Sequence, residues 1–412
     1  MKLPRSPRWR AASPHADPAV EFPVLDTLRA IGALAVLTTH TAFQSGDYLR
    51  NGVWGTILAR LDVGVAIFFV LSGFLLSRPW LARAADSARP PSTRRYYEKR
   101  LLRIYPVYLV TVVIALVLIP DNEGAGLGTW VSSLLLADPY TSEKLPHGLT
   151  QMWSLTAEAA FYVLLPILMR LAIGSGRGLR PWRVLAVATG MVAVNVLWIY
   201  VLAGLVQDHT DGAPGLWLPA FASWFAVGIV LALVQVLHDR GQLPVRARAI
   251  VDVARMPGVC WAIIGGLVLV AATPVAGPVM FQVGSDGQIF AKHLLYAVIG
   301  GLMVLTGVFA DRAGTYARVM SWPLLRHLGH ISYGVFCIHL AMLSLIYAVT
   351  DYSVFSGDGL PVWALSVVLS VLAAELLYRV IEVPSARIAD RWRREESRAS
   401  APRTEQTAAS TR

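Results

Sequence analysis

Cysteine is almost absent from this chain: among its 412 residues only Cys260 and Cys337 carry a thiol, and both stand in apolar stretches. Two isolated thiols exclude a disulfide framework and a cysteine-rich metal site. Charge is scarce too, at 15% of residues against 55% apolar content, which excludes an ordinary soluble two-domain protein and a disordered chain alike. Also missing are a Gly-x-Ser-x-Gly elbow, a Gly-x-x-x-x-Gly-Lys-Ser/Thr phosphate loop and a His-Glu-x-x-His zinc pair, so the sequence names no metal. The run Gly174-Ser-Gly-Arg-Gly178 has no strand before it and reads as a linker. No small-residue cleavage site follows the first apolar run, which is therefore expected to remain as a membrane span.

What is present is long apolar segments. Windows of about 20 mostly apolar residues pick out ten spans, near 25–44, 57–77, 102–120, 151–170, 183–204, 216–237, 259–278, 291–310, 328–350 and 361–381. The expected fold is all-α: a polytopic helix bundle with the lipid bilayer as its solvent. The run from Trp130 to Ala137 is too short to span and suits an interfacial helix. Segments 1–24, 78–103, 170–183, 238–256, 311–327 and 379–412 hold 31 of the 36 Lys and Arg. Basic residues accumulate in cytoplasmic loops, so both termini are expected in the cytoplasm. Topology thus accounts for most of the +10 net charge, and no nucleic acid is needed as a partner. Residues 1–20 form a basic tail, 21–390 the membrane domain, and 391–412 a tail too poor in apolar residues to order itself. Loops on the opposite side carry Tyr48, Tyr140 and Trp217 among acidic residues, a surface that suits sugars or simply water.

Within the spans, ionisable residues are expensive and point toward polar cavities or one another. Arg29 and His40 lie eleven residues apart, which overshoots three helical turns by about 20° and separates them by roughly 16 Å along one face. Asp26 is a candidate N-cap and an i,i+3 neighbour of Arg29. A neutral imidazole can remove a hydroxyl proton near neutral pH, although a lone buried His also serves as a packed hydrogen-bonding group. Glu158, entering the fourth span from the outer face, has a similar expected depth to His40. It is assigned to orient that imidazole, against the alternative of a helix–helix hydrogen bond. His339, near mid-depth of the ninth span, lines the same cavity or braces it. Ser72-Gly73 permits close backbone approach, with packing as the first reading and cavity lining as the second. The run Arg94-Arg-Tyr-Tyr-Glu-Lys-Arg-Leu-Leu-Arg-Ile-Tyr-Pro106 places Arg100 and Arg103 on one face. Guanidinium forks there can hold the phosphates of coenzyme A or contact anionic lipid.

Taken in order, Asp26-x-x-Arg29, Arg29-x10-His40, Phe68-Phe-Val-Leu-Ser-Gly-Phe-Leu75, Arg100-x-x-Arg103, Trp153-Ser-Leu-x-x-Glu158, Ser332-Tyr-Gly with His339, and Glu382-x-Pro384 resemble the acyltransferase-3 family of integral membrane acyltransferases. The resemblance runs from about residue 21 to 390, departing where Phe336-Cys-Ile338 replaces the usual aromatic run before the His. It implies transfer of an acyl group, often acetyl, from acyl-coenzyme A to a hydroxyl of a sugar, glycolipid, glycan or glycosylated natural product. Acyl-coenzyme A is then a donor substrate, and no cofactor stays bound. The family's first-span Arg and His fall on Arg29 and His40, its Arg pair on Arg100 and Arg103, and its span-four Glu on Glu158. The expected roles are His40 as general base, Glu158 as its partner, and Arg29, Arg100 and Arg103 as donor-binding groups. A polytopic transporter or proton-coupled flippase competes, because the same residue types line ion relays. The matched, Gly/Pro-broken halves typical of transporters are not apparent.

Overall fold

A computed structural model describes residues 22–174, 178–279 and 282–388. The tails at 1–20 and 391–412, and the middle of the Gly174–Gly178 linker, lie outside the described residues. Among the described residues the chain is helices and turns with no strand. Ten main helices are numbered here: α1 (Pro23–Ser45), α2 (Val63–Ala85), α3 (Thr93–Leu118), α4 (Trp153–Ile173), α5 (Pro181–Leu197), α6 (Leu218–Asp239), α7 (Pro257–Ala271), α8 (Asp286–Phe309), α9 (Pro323–Val349) and α10 (Gly359–Leu377). Every expected apolar window falls on one of them. Among the described residues, eight helical segments are long and apolar enough to cross a membrane, or nine when α7 is joined to the short helix Val245–Ala254, from which it bends by 83°. With 15 residues, α7 is short for a span of its own. Helix α1 has 23 residues, the length of a span, but its Asp, Arg, His and threonines keep it out of the apolar set. The short helix expected near residue 130 is Leu127–Leu134, tied to α3 by the Tyr105 hydroxyl donating to the Leu134 carbonyl at 2.5 Å.

Helix ends follow local chemistry. Pro23, Pro181, Pro257 and Pro323 start α1, α5, α7 and α9, where a missing N–H costs nothing. Ser92 Oγ accepts from the Arg95 N–H at the start of α3, and Ser285 with Gln288 forms a capping box on α8. Asp26 is not the cap of α1. Phe22 holds that position without a side-chain bond, and Asp26 is buried in the first turn with its carboxylate turned into the bundle.

Helix α1 lies against α2, α8, α9 and α10, so the most polar helix is also a central one. Glycines set three close crossings. A Cβ on Gly64 would overlap the Gly32 carbonyl, which draws α2 onto α1 between Arg29 and His40. Gly73 and Gly228 do the same for α2 and α6, each with its would-be Cβ on the other helix's backbone. Gly329 of α9 meets the Asp26 backbone so closely that a Cβ there would strike the Asp26 carbonyl. Small residues at crossings are how membrane helices gain packing where lipid offers no hydrophobic drive. The outer faces of α5 and α10 remain apolar and exposed, with Val194, Leu197, Val368 and Leu372 among the uncovered side chains.

Candidate active site

The polar residues of the bundle gather in two zones along α1. The lower zone lies at the Arg-rich end. Asp26 Oδ1 accepts from Arg29 Nη1 at 2.8 Å, and Oδ2 lies 3.2 Å from Arg326 Nε and 3.4 Å from His330 Nε2. One carboxylate thus joins α1 to α9 and fixes the Arg29 guanidinium. Arg100 and Arg103, one helical turn apart on α3, are close enough to Arg29 for their charges to act on it. Guanidinium groups from two helices therefore lie within electrostatic reach of one another. Their balance comes from Asp26, from Glu158 beside Arg100, and from Glu382 beside Arg103, with the phenols of Tyr96 and Tyr162 among them. Arg100 Nε and Glu382 Oε1 are buried without a hydrogen-bond partner. Arg29, Ser72, Arg100, Arg103 and Glu158 are all only half-buried, although they face the interior of the bundle.

Glu158 belongs to this lower zone. Its Oε1 accepts a short hydrogen bond from Ser72 Oγ, and the Tyr162 hydroxyl lies beside it, one turn along α4. Among the described residues no hydrogen bond or ion pair joins Glu158 to His40, so the pairing expected from their similar depth is not formed. The physical reason is azimuth: α4 contacts α2 and α3, and the carboxylate meets the Ser72 face of α2 rather than α1. Ser72, whose first reading was packing, is a hydrogen-bonding member of the site.

The upper zone contains His40 and His339. His40 Nδ1 lies 2.9 Å from the Val36 carbonyl, and His339 Nε2 lies 3.1 Å from the same His40 nitrogen. The ring centroids are 5.2 Å apart. His339 Nδ1 in turn lies 2.8 Å from the Phe336 carbonyl and 3.2 Å from that of Val335. His40 is half-buried and His339 fully buried, with Phe68 and Phe336 packed beside them. The carboxylate whose charge reaches His40 is Asp62 at the start of α2, itself bound by Lys292 Nζ at 2.6 Å and by the Tyr296 hydroxyl. Trp363 Nε1 donates to Thr38 Oγ1 at 2.9 Å and clamps α10 to this part of α1. Of the aromatic residues expected on a sugar-facing surface, Tyr48 is buried with its hydroxyl on Thr39, and Trp217 Nε1 donates to the Pro139 carbonyl at 2.8 Å. Both serve the fold.

Between the zones, Tyr333 and Cys337 of α9 continue the polar line upward, with the Tyr333 hydroxyl on the Ile104 carbonyl at 2.7 Å. Sequence reasoning gave no role to His330, Tyr162, Tyr333 or Glu382. For two of them the signal was position: His330 and Tyr333, with Cys337, recur at three- and four-residue steps along one side of α9, while His339, two residues further on, leaves the helix on the opposite side. Glu382 sits in the one-turn π-helix Tyr378–Glu382, a distortion that is frequent at functional sites.

Sequence comparisons place the chain among known proteins. A family profile described as "Acyltransferase domain" matches residues 22–379. The chain is 30% identical to acyltransferase MdmB of Streptomyces mycarofaciens, across 95% of this chain and 98% of that one. It is 22% identical to peptidoglycan O-acetyltransferase OatA of Listeria monocytogenes over 88% of this chain, and 23% identical to nodulation protein 10 of Rhizobium leguminosarum over the same share. It spans only 55% of the Listeria protein but 93% of the Rhizobium one. No solved structure matches.

Proposed function

This chain belongs to the acyltransferase-3 family of membrane acyltransferases, and on that premise we propose that it moves an acyl group, acetyl in the simplest case, from acyl-coenzyme A to a hydroxyl of a sugar, glycan or glycosylated natural product at the plasma membrane. The observation that carries the proposal is the commitment of His40 Nδ1 to the Val36 carbonyl. A carbonyl only accepts, so Nδ1 holds the ring proton and Nε2 keeps a free lone pair. His40 Nε2 takes the proton of the acceptor hydroxyl as its oxygen attacks the thioester carbon. The C–S bond then breaks, and the imidazolium returns the proton to the departing thiolate, giving the O-acyl product and free coenzyme A.

Arg29, Arg100 and Arg103 supply the donor site. Their guanidinium forks, the unpartnered Arg100 Nε and their half-buried state suit the phosphates of a donor arriving from the cytoplasm. The roughly 16 Å of α1 between Arg29 and His40 leaves room for the pantetheine arm to carry the thioester upward. Glu158, held by Ser72, braces Arg100 in this scheme instead of orienting the base. The relatives named for O-acetylation of peptidoglycan support a hydroxyl-bearing glycan as one class of acceptor.

Washed membrane vesicles given radiolabelled acetyl-coenzyme A and a hydroxyl acceptor test the assignment. Acceptor-dependent thioester cleavage is expected from the wild type and is expected to vanish in membrane-inserted His40→Ala. Normal transfer by that variant would remove His40 as the base, and vectorial uptake without cleavage would favour a transporter. Mass spectrometry of a deletion strain against its parent, searching for a lost acyl increment, identifies the acceptor.

A further inference from the structure

Resting on His40 as the base, we propose that His339 is a positioning residue that holds the His40 imidazole in its Nδ1–H form through a neutral imidazole–imidazole hydrogen bond. The proton positions follow from the acceptors. His339 Nδ1 faces the carbonyl oxygens of Phe336 and Val335 at 2.8 and 3.2 Å, so that nitrogen carries the hydrogen of the neutral ring. Its Nε2 is then a bare lone pair, 3.1 Å from His40 Nδ1. Two lone pairs at that separation would repel, so His40 Nδ1 carries a proton shared between Val36 O and His339 Nε2. His40 Nε2, the only ring nitrogen left, is the basic one.

The carbonyl of Val36 alone does not fix the ring. It lies one turn back on the same helix, and a half-buried imidazole can turn about its side-chain torsions to exchange that bond for water. His339 removes this freedom because it comes from another helix and is 1% exposed, so no water competes at its Nε2. The arrangement is a base and orienter with a neutral ring where hydrolytic triads use a carboxylate. When His40 gains a proton at Nε2, the Nδ1–H donates more strongly to the same acceptor, and the proton at Nε2 remains available to the leaving thiolate.

The test compares His339→Phe, which keeps ring volume and loses the acceptor, with His339→Gln, whose amide oxygen can take the place of Nε2. His339→Phe is expected to lower kcat by about tenfold to a hundredfold, the scale of a mispositioned catalytic group, with KM for acetyl-coenzyme A unchanged. His339→Gln is expected to recover most of it. In nanodiscs with 15N-labelled histidine, the His40 signals, assigned by their loss in His40→Ala, are expected to report the Nδ1–H form in the wild type and His339→Gln and a tautomer mixture in His339→Phe. Should His339→Phe fail to insert, His339→Leu takes its place. Wild-type kcat in the acceptor-less variant overturns the proposal, as does an equal loss in both variants with the His40 tautomer unchanged. An active His40→Ala would instead defeat the base assignment itself, so the two failures are distinguishable.

Discussion

Asp26 illustrates how much one side chain can hold. Its carboxylate meets Arg29, Arg326 and His330, so its removal takes from the Arg29 guanidinium its ion-pair partner and unties α1 from α9. Asp26→Ala is expected to cost about 3 kcal/mol, the scale of breaking a buried ion pair, read as a lower thermal midpoint of the detergent-solubilised protein. At Glu158 the expected effect is different. Glu158→Gln keeps a hydrogen-bond acceptor for Ser72 and removes the charge beside Arg100, so KM for acyl-coenzyme A should change about tenfold while kcat moves less. A large fall in kcat with KM unchanged would return Glu158 to the base. The Arg29–His40 alignment was legible because a helix repeats at a known angle and both residues share one helix. The Glu158 partnership was not. Depth can be counted along a span, but the direction in which a side chain leaves its helix toward a neighbour depends on packing that a single sequence does not print.

At the level of helices, apolar length located every main element, since a bilayer demands about 20 residues whatever the neighbours. The exceptions have local causes. Helix α1 loses apolarity to Asp26, Arg29, His40 and its threonines, and α7 is shortened where the chain turns through 83° after Ala254. Close crossings were only partly legible: Ser72-Gly73 signalled one, while its counterpart Gly228 carried no distinguishing motif. That pair makes a sharp prediction. Gly228→Ala places a Cβ against the Val70 carbonyl and forces α2 and α6 apart, so the yield of monodisperse protein in mild detergent should fall. Gly190→Ala in α5, where the added Cβ meets nothing, should leave it unchanged.

For the molecule as a whole, the partition of 31 of 36 basic residues into alternate segments predicts that both termini share the cytoplasm. Green fluorescent protein fused at either end should fluoresce, and alkaline phosphatase at either end should stay inactive; an active phosphatase fusion at one end would mean an odd number of crossings. Charge alone predicts an orientation, but the tie between α1 and α9 was not legible in it. Their tightest contact, Gly329 on the Asp26 backbone, lies at the base of the bundle, and ten residues or more, about 15 Å of helix, separate it from the paired imidazoles. Their crossing at the base is a fulcrum for the spacing of the imidazoles above it. A splay of roughly 4° at that fulcrum opens the tips by about 1 Å, enough at catalytic distances to slow a reaction a hundredfold. Gly329→Ala, remote from every reacting atom, should therefore lower the yield of monodisperse protein as Gly228→Ala does and, in addition, slow turnover per folded molecule.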